Sequence, residues 1–329
     1  MAKIHIKSPT RVDLAGGTLD MWPLFTFVGG ASTINVAIDI WTEAEIETRE
    51  DSKIILESAD LNLKKEYTDL KEALAERDPK LSLLQIQLQY WKPEGGFHLK
   101  TRSQSPVGGG LGGSSSLTIS LMKAFLKLTG QKPMDPVSMV QVAHNLEAGQ
   151  LRTPTGTQDY FPAVTGGLNV IHYSADGINH QSYKIDPELE KHFLLVNTGK
   201  SHHSGLNNFE VLTNAVAGKK ETMDALWDLK QIALDTEAAC LGGKWNRLTE
   251  LFQKEYQARI RLAPAFSSPE IEKLGKAALR SGASAVKICG AGGGGCVLVY
   301  CDPDVKGRVA VICKQEGFQV LPARPVNLS

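Results

Sequence analysis

The sequence predicts an α+β fold in two lobes, and three observations carry the prediction. The chain has 329 residues, room for two domains at roughly 100 to 200 residues each. Its strand-like and helix-like segments fall in separate runs, which favours α+β over a doubly wound sheet. Two glycine-rich loops, 106–117 and 289–298, lie far apart and in different settings, one before a helix and one between strands. The character of the chain changes beyond about residue 180, so 1–180 is expected as an N-terminal lobe and 181–329 as a C-terminal one.

Taken in order, Lys3 to Lys7 alternates apolar and polar residues around Ile4 and Ile6, and 43–47 and 54–56 give two more short strand signals. Antiparallel pairing is the natural reading of such alternation. The segments DLKEALAERDPK and LSLLQIQLQYW, within 69–91, predict two helices broken near Pro79. From Pro106 a glycine loop runs into a helix whose Leu117, Leu121, Ala124, Phe125 and Leu128 share one face, and Gly130 closes it. A second helix, Pro136 to Leu151, aligns Met139, Val142, Ala143 and Leu146, and 152–167 follows as a loop. A strand from His192 to Asn197, charge-rich helices over 208–261 and a final αβ part complete the chain. The helix from Thr222 to Leu241 carries an apolar stripe of Leu226, Leu229, Ile232 and Ala233, read as core. In the final part, KICGAGGGGCVLVYC reads as strand, glycine loop, strand.

The 36 Lys and Arg balance 36 Asp and Glu, which on bulk charge excludes a strongly basic protein built for nucleic acid or anionic membranes. Hydrophobic residues make up 42% and charged residues 22%, and no apolar run approaches the ~18 residues that span a bilayer. Small-molecule partners are therefore expected. The opening MAKIHIKSPTRVDLAGG lacks the apolar core of a signal peptide, and Cys240, Cys289, Cys296, Cys301 and Cys313 form no CxxC pair or zinc spacing. Reduced, buried thiols in a cytoplasmic protein follow. The sequence leaves a homodimer open.

Gly108, Gly110 and Gly113 match GxGxxG, and so do Gly290, Gly292 and Gly295. Neither setting suits a dinucleotide fold. The second loop enters a strand rather than a helix, and the first continues into Ser114, Ser115 and Ser116, which a pyrophosphate turn does not require. Tight turns alone are the plainer alternative for each loop. The first loop reads better as an anion-binding nest, because successive glycine N–H groups at the positive end of a helix suit a polyphosphate. Serine hydroxyls beside it suit Mg2+, a hard cation that takes oxygen ligands. Gly199-Lys200-Ser201 looks like the end of a Walker A loop, but Leu194 stands where the first glycine belongs, so P-loop chemistry is excluded.

Two carboxylates follow. Glu147, four residues after Ala143, lies at the edge of the apolar face near the helix C-terminus, where a negative charge opposes the helix dipole and asks for a cation. An ordinary exposed glutamate is the alternative. Asp159 lies in a turn-rich stretch with Gly156, Pro162, Gly166 and Gly167, where an aspartate that only bonds backbone is the alternative.

Together these residues resemble the GHMP kinases, the superfamily of galactokinase, homoserine kinase, mevalonate kinase and phosphomevalonate kinase. SPTRVDLAGGTLD (8–20) resembles their N-terminal substrate motif, PVGGGLGGSSSL (106–117) their phosphate loop and CGAGGGGCVL (289–298) their C-terminal glycine motif. AGGTLD (15–20), GGASTINVAIDIW (29–41) and GTQDYFPAVTGGLNVI (156–171) are most similar to the branch of heptose-phosphate kinases and fucokinases. The resemblance implies an ATP-binding N-terminal lobe with mixed sheet and helices, a ferredoxin-like C-terminal lobe, and a site in the cleft between them. It implies that Asp159 is the base or the orienter of an attacking hydroxyl, with Arg11 beside it. Asp20 would grip sugar hydroxyls, with Gly17 and Thr18 standing where galactokinases have Glu and His, and Gly166 and Gly292 would complete the substrate site. Gly108, Gly109, Gly110, Leu111, Gly112, Gly113, Ser114 and Ser115 would bind the nucleotide. Ser114, with Ser115 as second choice, and Glu147 would hold Mg2+.

The implied reaction is ATP- and Mg2+-dependent phosphorylation of the anomeric hydroxyl of a sugar, with D-glycero-D-manno-heptose 7-phosphate as first-choice substrate. A free-monosaccharide kinase of the fucose or galactose type comes second. A catalytically silent sugar and ATP sensor is the reading of another class, and intact Arg11, Ser114, Glu147 and Asp159 argue against it. An NAD-dependent enzyme, suggested by GxGxxG alone, ranks last. A phosphorylated sugar needs cations, for which Lys3, Lys7, Arg152, Lys200 and Lys287 are candidates. His202 and His203, with Lys200 and Ser204, are candidates for touching a phosphate, while Trp22, Phe25 and Phe27 are expected in the core rather than as walls of a sugar pocket.

Overall fold

The structure is a computed structural model that describes residues 2–201 and 204–328 and, of 204–207, the backbone. Its first half runs β1 (Lys3–Ala15), α1 (Leu24–Phe27), β2 (Ala31–Thr48), β3 (Ile54–Ser58), β4 (Leu63–Tyr67), α2 (Leu70–Ala75), α3 (Ser82–Trp91) and β5 (Phe97–Ser103). Then come α4 (Gly113–Leu128), α5 (Pro136–Leu151), α6 (Phe161–Thr165), β6 (Leu168–Ser174) and β7 (Gly177–Tyr183). The second half runs α7 (Pro187–His192), β8 (Phe193–Asn197), α8 (Ser204–Val216), α9 (Lys220–Leu241), α10 (Leu248–Leu262) and α11 (Pro269–Arg280). It ends with β9 (Ala285–Ile288), β10 (Cys296–Tyr300), α12 (Pro303–Gln315) and β11 (Gln319–Leu321).

The first sheet is organised around β2. One edge of this 18-residue strand pairs antiparallel with β1, while the other is shared, 31–36 with β6 and 42–48 with β5. β3 joins β5 in parallel and β4 in antiparallel, so the sheet is mixed. β1 is half-solvated over its first residues and buried from Ser8 onward, which is why its alternation stops at Lys7 while the strand continues to Ala15. The second sheet is antiparallel throughout, in the order β11-β8-β10-β9.

Packing joins the lobes. Leu195, Leu298 and Tyr300 on one face of the second sheet share a core with Leu226, Leu229 and Phe252 of α9 and α10 and with the interior of the first lobe. The other face packs Val196, Val297 and Val299 against Ile271, Leu274 and Val309 of α11 and α12. The helix boundaries follow local chemistry. Asp135 accepts the Ser138 N–H and Pro136 starts α5, while Gly112 in the left-handed region starts α4. β7 runs past residue 180 to Tyr183 on the first sheet, and the last residues return there too. Arg324 and Val326 carbonyls accept the N–H groups of Asp39 and Gly167, each at 2.9 Å. All five cysteines are free and buried, as expected.

Candidate active site

Strand β1 delivers the first pieces. Arg11 and Asp13 lie two apart and so project to one face, and both are buried. Arg11 Nε and Nη2 donate to Asp159 Oδ1 at 2.8 and 2.6 Å, and Nη1 donates to the Gly110 carbonyl. Burial opposes the Arg11 charge, but Asp159 and Asp13 outweigh it and raise its pKa. The guanidinium thus ties the carboxylate of the turn before α6 to the backbone of the first glycine loop.

That loop is a nest. Gly108, Gly110 and Gly112 have φ of +64°, +71° and +68° and alternate with residues of ordinary φ. Its carbonyls are occupied by the protein. Gly109 accepts the Cys296 N–H at 2.8 Å, Gly110 the Arg11 side chain, and Leu111 the Arg11 N–H at 3.0 Å. Gly112 is the N-cap of α4 and no side chain caps that helix, so its positive end is open to an anion such as a phosphate. Asp159 stands beside this opening: a Cβ on Gly112 would lie 3.2 Å from the Asp159 Cβ.

On α5, Glu147 belongs to the buried stripe of Met139, Val140 and Ala143 rather than to its edge. Ser114 Oγ donates to Glu147 Oε1, and the Tyr160 hydroxyl donates to Oε2 at 2.6 Å. Burial raises the Glu147 pKa, with the Ser114 and Tyr160 hydrogen bonds pulling the other way. No basic side chain pairs with it among the described residues. A buried carboxylate and a hydroxyl that converge without a cation are the donors a hard divalent ion takes. Among the described residues no three His, Cys, Asp or Glu side chains form a metal cluster, so an ion at Glu147 would complete its shell with water or phosphate oxygens.

Residues 16–20 form the turn after β1. Thr18 has φ +82°, an outlier for a β-branched residue. Asp20 is buried, and its Oδ2 accepts the Gln158 N–H at 3.0 Å. A Cβ at 156 would stand 1.8 Å from the same oxygen, so any other residue there displaces the Asp20 carboxylate. Asn35 Nδ2 holds the Gln158 carbonyl at 3.0 Å from below. Burial, and then the Asp159 charge, push the Asp20 pKa up to about 6. The turn at 16–20 and the turn at 156–159 therefore form one unit, in which the Asp159 charge acts on Asp20.

Of the expected site residues, Arg11, Asp20, Asp159, Gly17, Thr18, Glu147 and 108–115 come together, and both Ser114 and the second choice Ser115 bond Glu147, while Ser116 does not. Ser116 instead bonds Thr42 Oγ1 at 2.8 Å. Three expectations need correction. Gly166 closes α6: its N–H donates to Pro162 at 2.8 Å, its carbonyl accepts from Asn169 and Ser182, and a Cβ would strike Leu328 N at 2.6 Å. It packs on the returning end of the chain instead of facing a ligand. Gly292 backs onto Phe266, whose carbonyl would lie 2.3 Å from its Cβ, and contact with the nest is made by Gly290 and Gly295. Lys287 reaches no open surface, because it is paired with Asp13 and Glu255, and a charge buried at the seam of the lobes needs matching.

Smaller differences are local. The stretch 152–167 contains the helix α6, and of the three aromatics only Phe25 is buried, Trp22 and Phe27 being exposed. His202 and His203 lie outside the described residues, as does the Ser204 side chain. Sequence reasoning does not single out Tyr160, Gln158 or Asn35. The available signal is Gly156, a glycine where another group comes close, and nothing local ties Asn35 to Gln158.

An open helix end with a nest, a guanidinium-held carboxylate beside it and a buried acid paired to a serine equip a two-lobed protein for phosphoryl transfer without a P-loop. Residues 79–167 match the family described as GHMP kinases N terminal domain, and residues 237–317 match GHMP kinases C terminal. The chain belongs to the GHMP kinase family, small-molecule kinases that use ATP as co-substrate. It is 28% identical to D-glycero-alpha-D-manno-heptose 7-phosphate kinase of Campylobacter jejuni, over 97% of this chain and 95% of that protein. It is 24% identical to L-fucokinase/L-fucose-1-P guanylyltransferase of Bacteroides fragilis, over 93% of this chain and 35% of that longer protein. A solved structure titled D-glycero-D-manno-heptose 1-phosphate kinase from Bacteriodes thetaiotaomicron shares the fold, with TM-score 0.79, 23% identity, and 99% and 97% of the two chains covered. Among the described residues no helix is long and apolar enough to cross a membrane.

Proposed function

We propose that this kinase phosphorylates the anomeric hydroxyl of a sugar, with D-glycero-D-manno-heptose 7-phosphate as substrate. The observation that carries the reading is the Asp159 carboxylate, gripped by Arg11 and set against Gly112 at the open end of α4. A sugar hydroxyl is a weak nucleophile, and a carboxylate within hydrogen-bond reach takes its proton as bonding to phosphorus develops. Arg11 orients Asp159 through Oδ1 and supports the charge that grows on the transferring phosphoryl group. Residues 108–113 and the first turn of α4 bind the ATP phosphates, and Asp20 orients the sugar through its hydroxyls. Ser114 and Glu147 would hold Mg2+, which when bound draws charge from the phosphate oxygens.

The name of the Campylobacter jejuni relative supports a phosphorylated heptose. One observation favours a free monosaccharide instead: Lys3, Lys7, Lys200 and Lys287 are each engaged by a carboxylate. Of the five cations considered, Arg152 alone has no ion pair among the described residues. ADP release with Mg-ATP against a panel of free sugars and sugar phosphates decides between them. Asp159→Asn is expected to lower kcat by about 10² or more. A loss of less than about tenfold would remove proton abstraction as a major contribution.

A further inference from the structure

Beneath the turn that carries Asp20 lies a group of buried charges that the proposed chemistry does not use. Asp13 comes from β1, Glu255 and Arg259 from α10, and Lys287 from β9, and no side chain among them is more than 2% exposed. Their charges cancel. Lys287 Nζ lies 2.8 Å from Asp13 Oδ2 and 3.0 Å from Glu255 Oε2. Arg259 Nη2 lies 3.2 Å from Asp13 Oδ2, and its Nε 3.2 Å from Glu255 Oε1. The group also holds the first glycine of the second loop by both backbone polar groups. The Gly290 N–H donates to Asp13 Oδ1 at 3.1 Å, and its carbonyl accepts from Arg259 Nη1 at 2.9 Å.

Arg259 touches the substrate turn as well. A Cβ on Gly17 would stand 1.9 Å from Arg259 Nη2, so the guanidinium fills the space that a side chain at 17 would take. It lies over the Phe266 ring at 4.7 Å, and the Phe266 carbonyl accepts the Gly293 N–H at 2.7 Å. Next to Gly17 is the left-handed Thr18, a backbone state that persists only where its surroundings over-determine it. Matched buried ions add little net stability over apolar side chains of the same volume. What a planar guanidinium fork adds is a fixed geometry.

We propose that Arg259 is a positioning residue for the substrate: from the second lobe it sets the turn 16–20 and the loop 290–295 in one register, and so governs sugar affinity. This rests on the reading of the Asp20 turn as the sugar site. Arg259→Lys keeps the charge and removes the fork. Gly17→Ala keeps all four charges and displaces the guanidinium. Each variant is expected to raise the sugar KM about tenfold while the ATP KM stays within about twofold. Amide hydrogen exchange should quicken over 16–22 and stay unchanged over α4. The proposal is overturned if both KM values rise together, if only kcat falls, or if exchange over 16–22 stays as in the wild type. Should Arg259→Lys fail to fold, Gly17→Ala decides alone. A wild type that turns over no sugar defeats the proposed function by itself, and exchange over 16–22 then still decides for or against Arg259.

Discussion

The two glycine loops share the GxGxxG spacing and a left-handed backbone, yet meet different surroundings. In 108–113 the glycines let the backbone alternate in hand, and the loop ends in an uncapped helix. In 290–295 Gly290, Gly292, Gly293 and Gly295 are left-handed as well, and here another backbone also stands in the way. A Cβ on Gly295 would lie 2.8 Å from the Gly109 carbonyl carbon, and one on Gly290 3.0 Å from the Gly110 Cα. Electrostatics divide along the same line. Beside the first loop, burial pushes up the pKa of Asp20 and Glu147, which have no ion-pair partner among the described residues. Beside the second, burial acts on Asp13 as well, but Lys287, Arg259 and Arg11 overcome it and hold the carboxyl well below its usual range. Glycine spacing marks where something approaches the backbone, and uncompensated buried charge nearby makes the first loop the candidate side for a ligand.

Substitutions on the two sides test the contrast. The largest loss of stability is expected from Gly295→Ala, where a left-handed φ of +76° and a backbone collision act together. Denaturant unfolding should show more than about 3 kcal/mol. A loss under about 1 kcal/mol would mean that the loops have room to part.

Asp20→Asn comes next. The unfolded carboxyl gives up its proton near 3.8 and the folded one at about 6, so the native state binds the extra proton in between. Wild-type stability therefore falls as pH rises from about 4 to about 6, by up to about 3 kcal/mol, and stays lower above that. The Asn variant should lack this slope, be the more stable protein above about pH 6, and bind sugar poorly. If unfolding curves measured between about pH 4 and 7 keep the slope in the variant, other groups are responsible for it.

The smallest change in stability is expected from Gly112→Ala. Its φ of +68° costs about 1 to 2 kcal/mol with a Cβ, but the nearest obstacle is the Asp159 side chain, which can yield. Activity should suffer instead, with kcat/KM down about 10² as Asp159 moves from the open helix end. An unfolding midpoint lower than that of Gly295→Ala would reverse the comparison.

Legibility in the sequence followed local chemistry. α5 lies where its sequence puts it, from Pro136 to Leu151, because Asp135 and Pro136 are start signals that act within one turn. β1 is legible only to Lys7, since alternation needs one wet face and the strand is buried on both faces beyond Ser8. The Arg11–Asp159 pair spans 148 residues, and family resemblance rather than spacing brought the two together. The Asp13–Lys287 pair spans 274 residues and stayed invisible. A lysine in a sequence looks the same whether it faces water or a buried acid, so Lys287 read as a loose cation. Gly292 and Gly166 failed for a related reason: a glycine tells of crowding, and the crowding here is the protein's own Phe266 and Leu328.

The Cys296 amide that donates to Gly109 at 2.8 Å has a mechanical consequence. It ties the second lobe to the first glycine loop, and the core shared under α9 and α10 ties the lobes again. Parting the lobes along that seam would have to give up both the Cys296 bond and the shared core. Residues 152–155, tied at Thr155 by His144 at 3.1 Å and at Pro154 by Asn208 at 3.0 Å, are the more lightly anchored chain beside the firmly held turn at 156–159.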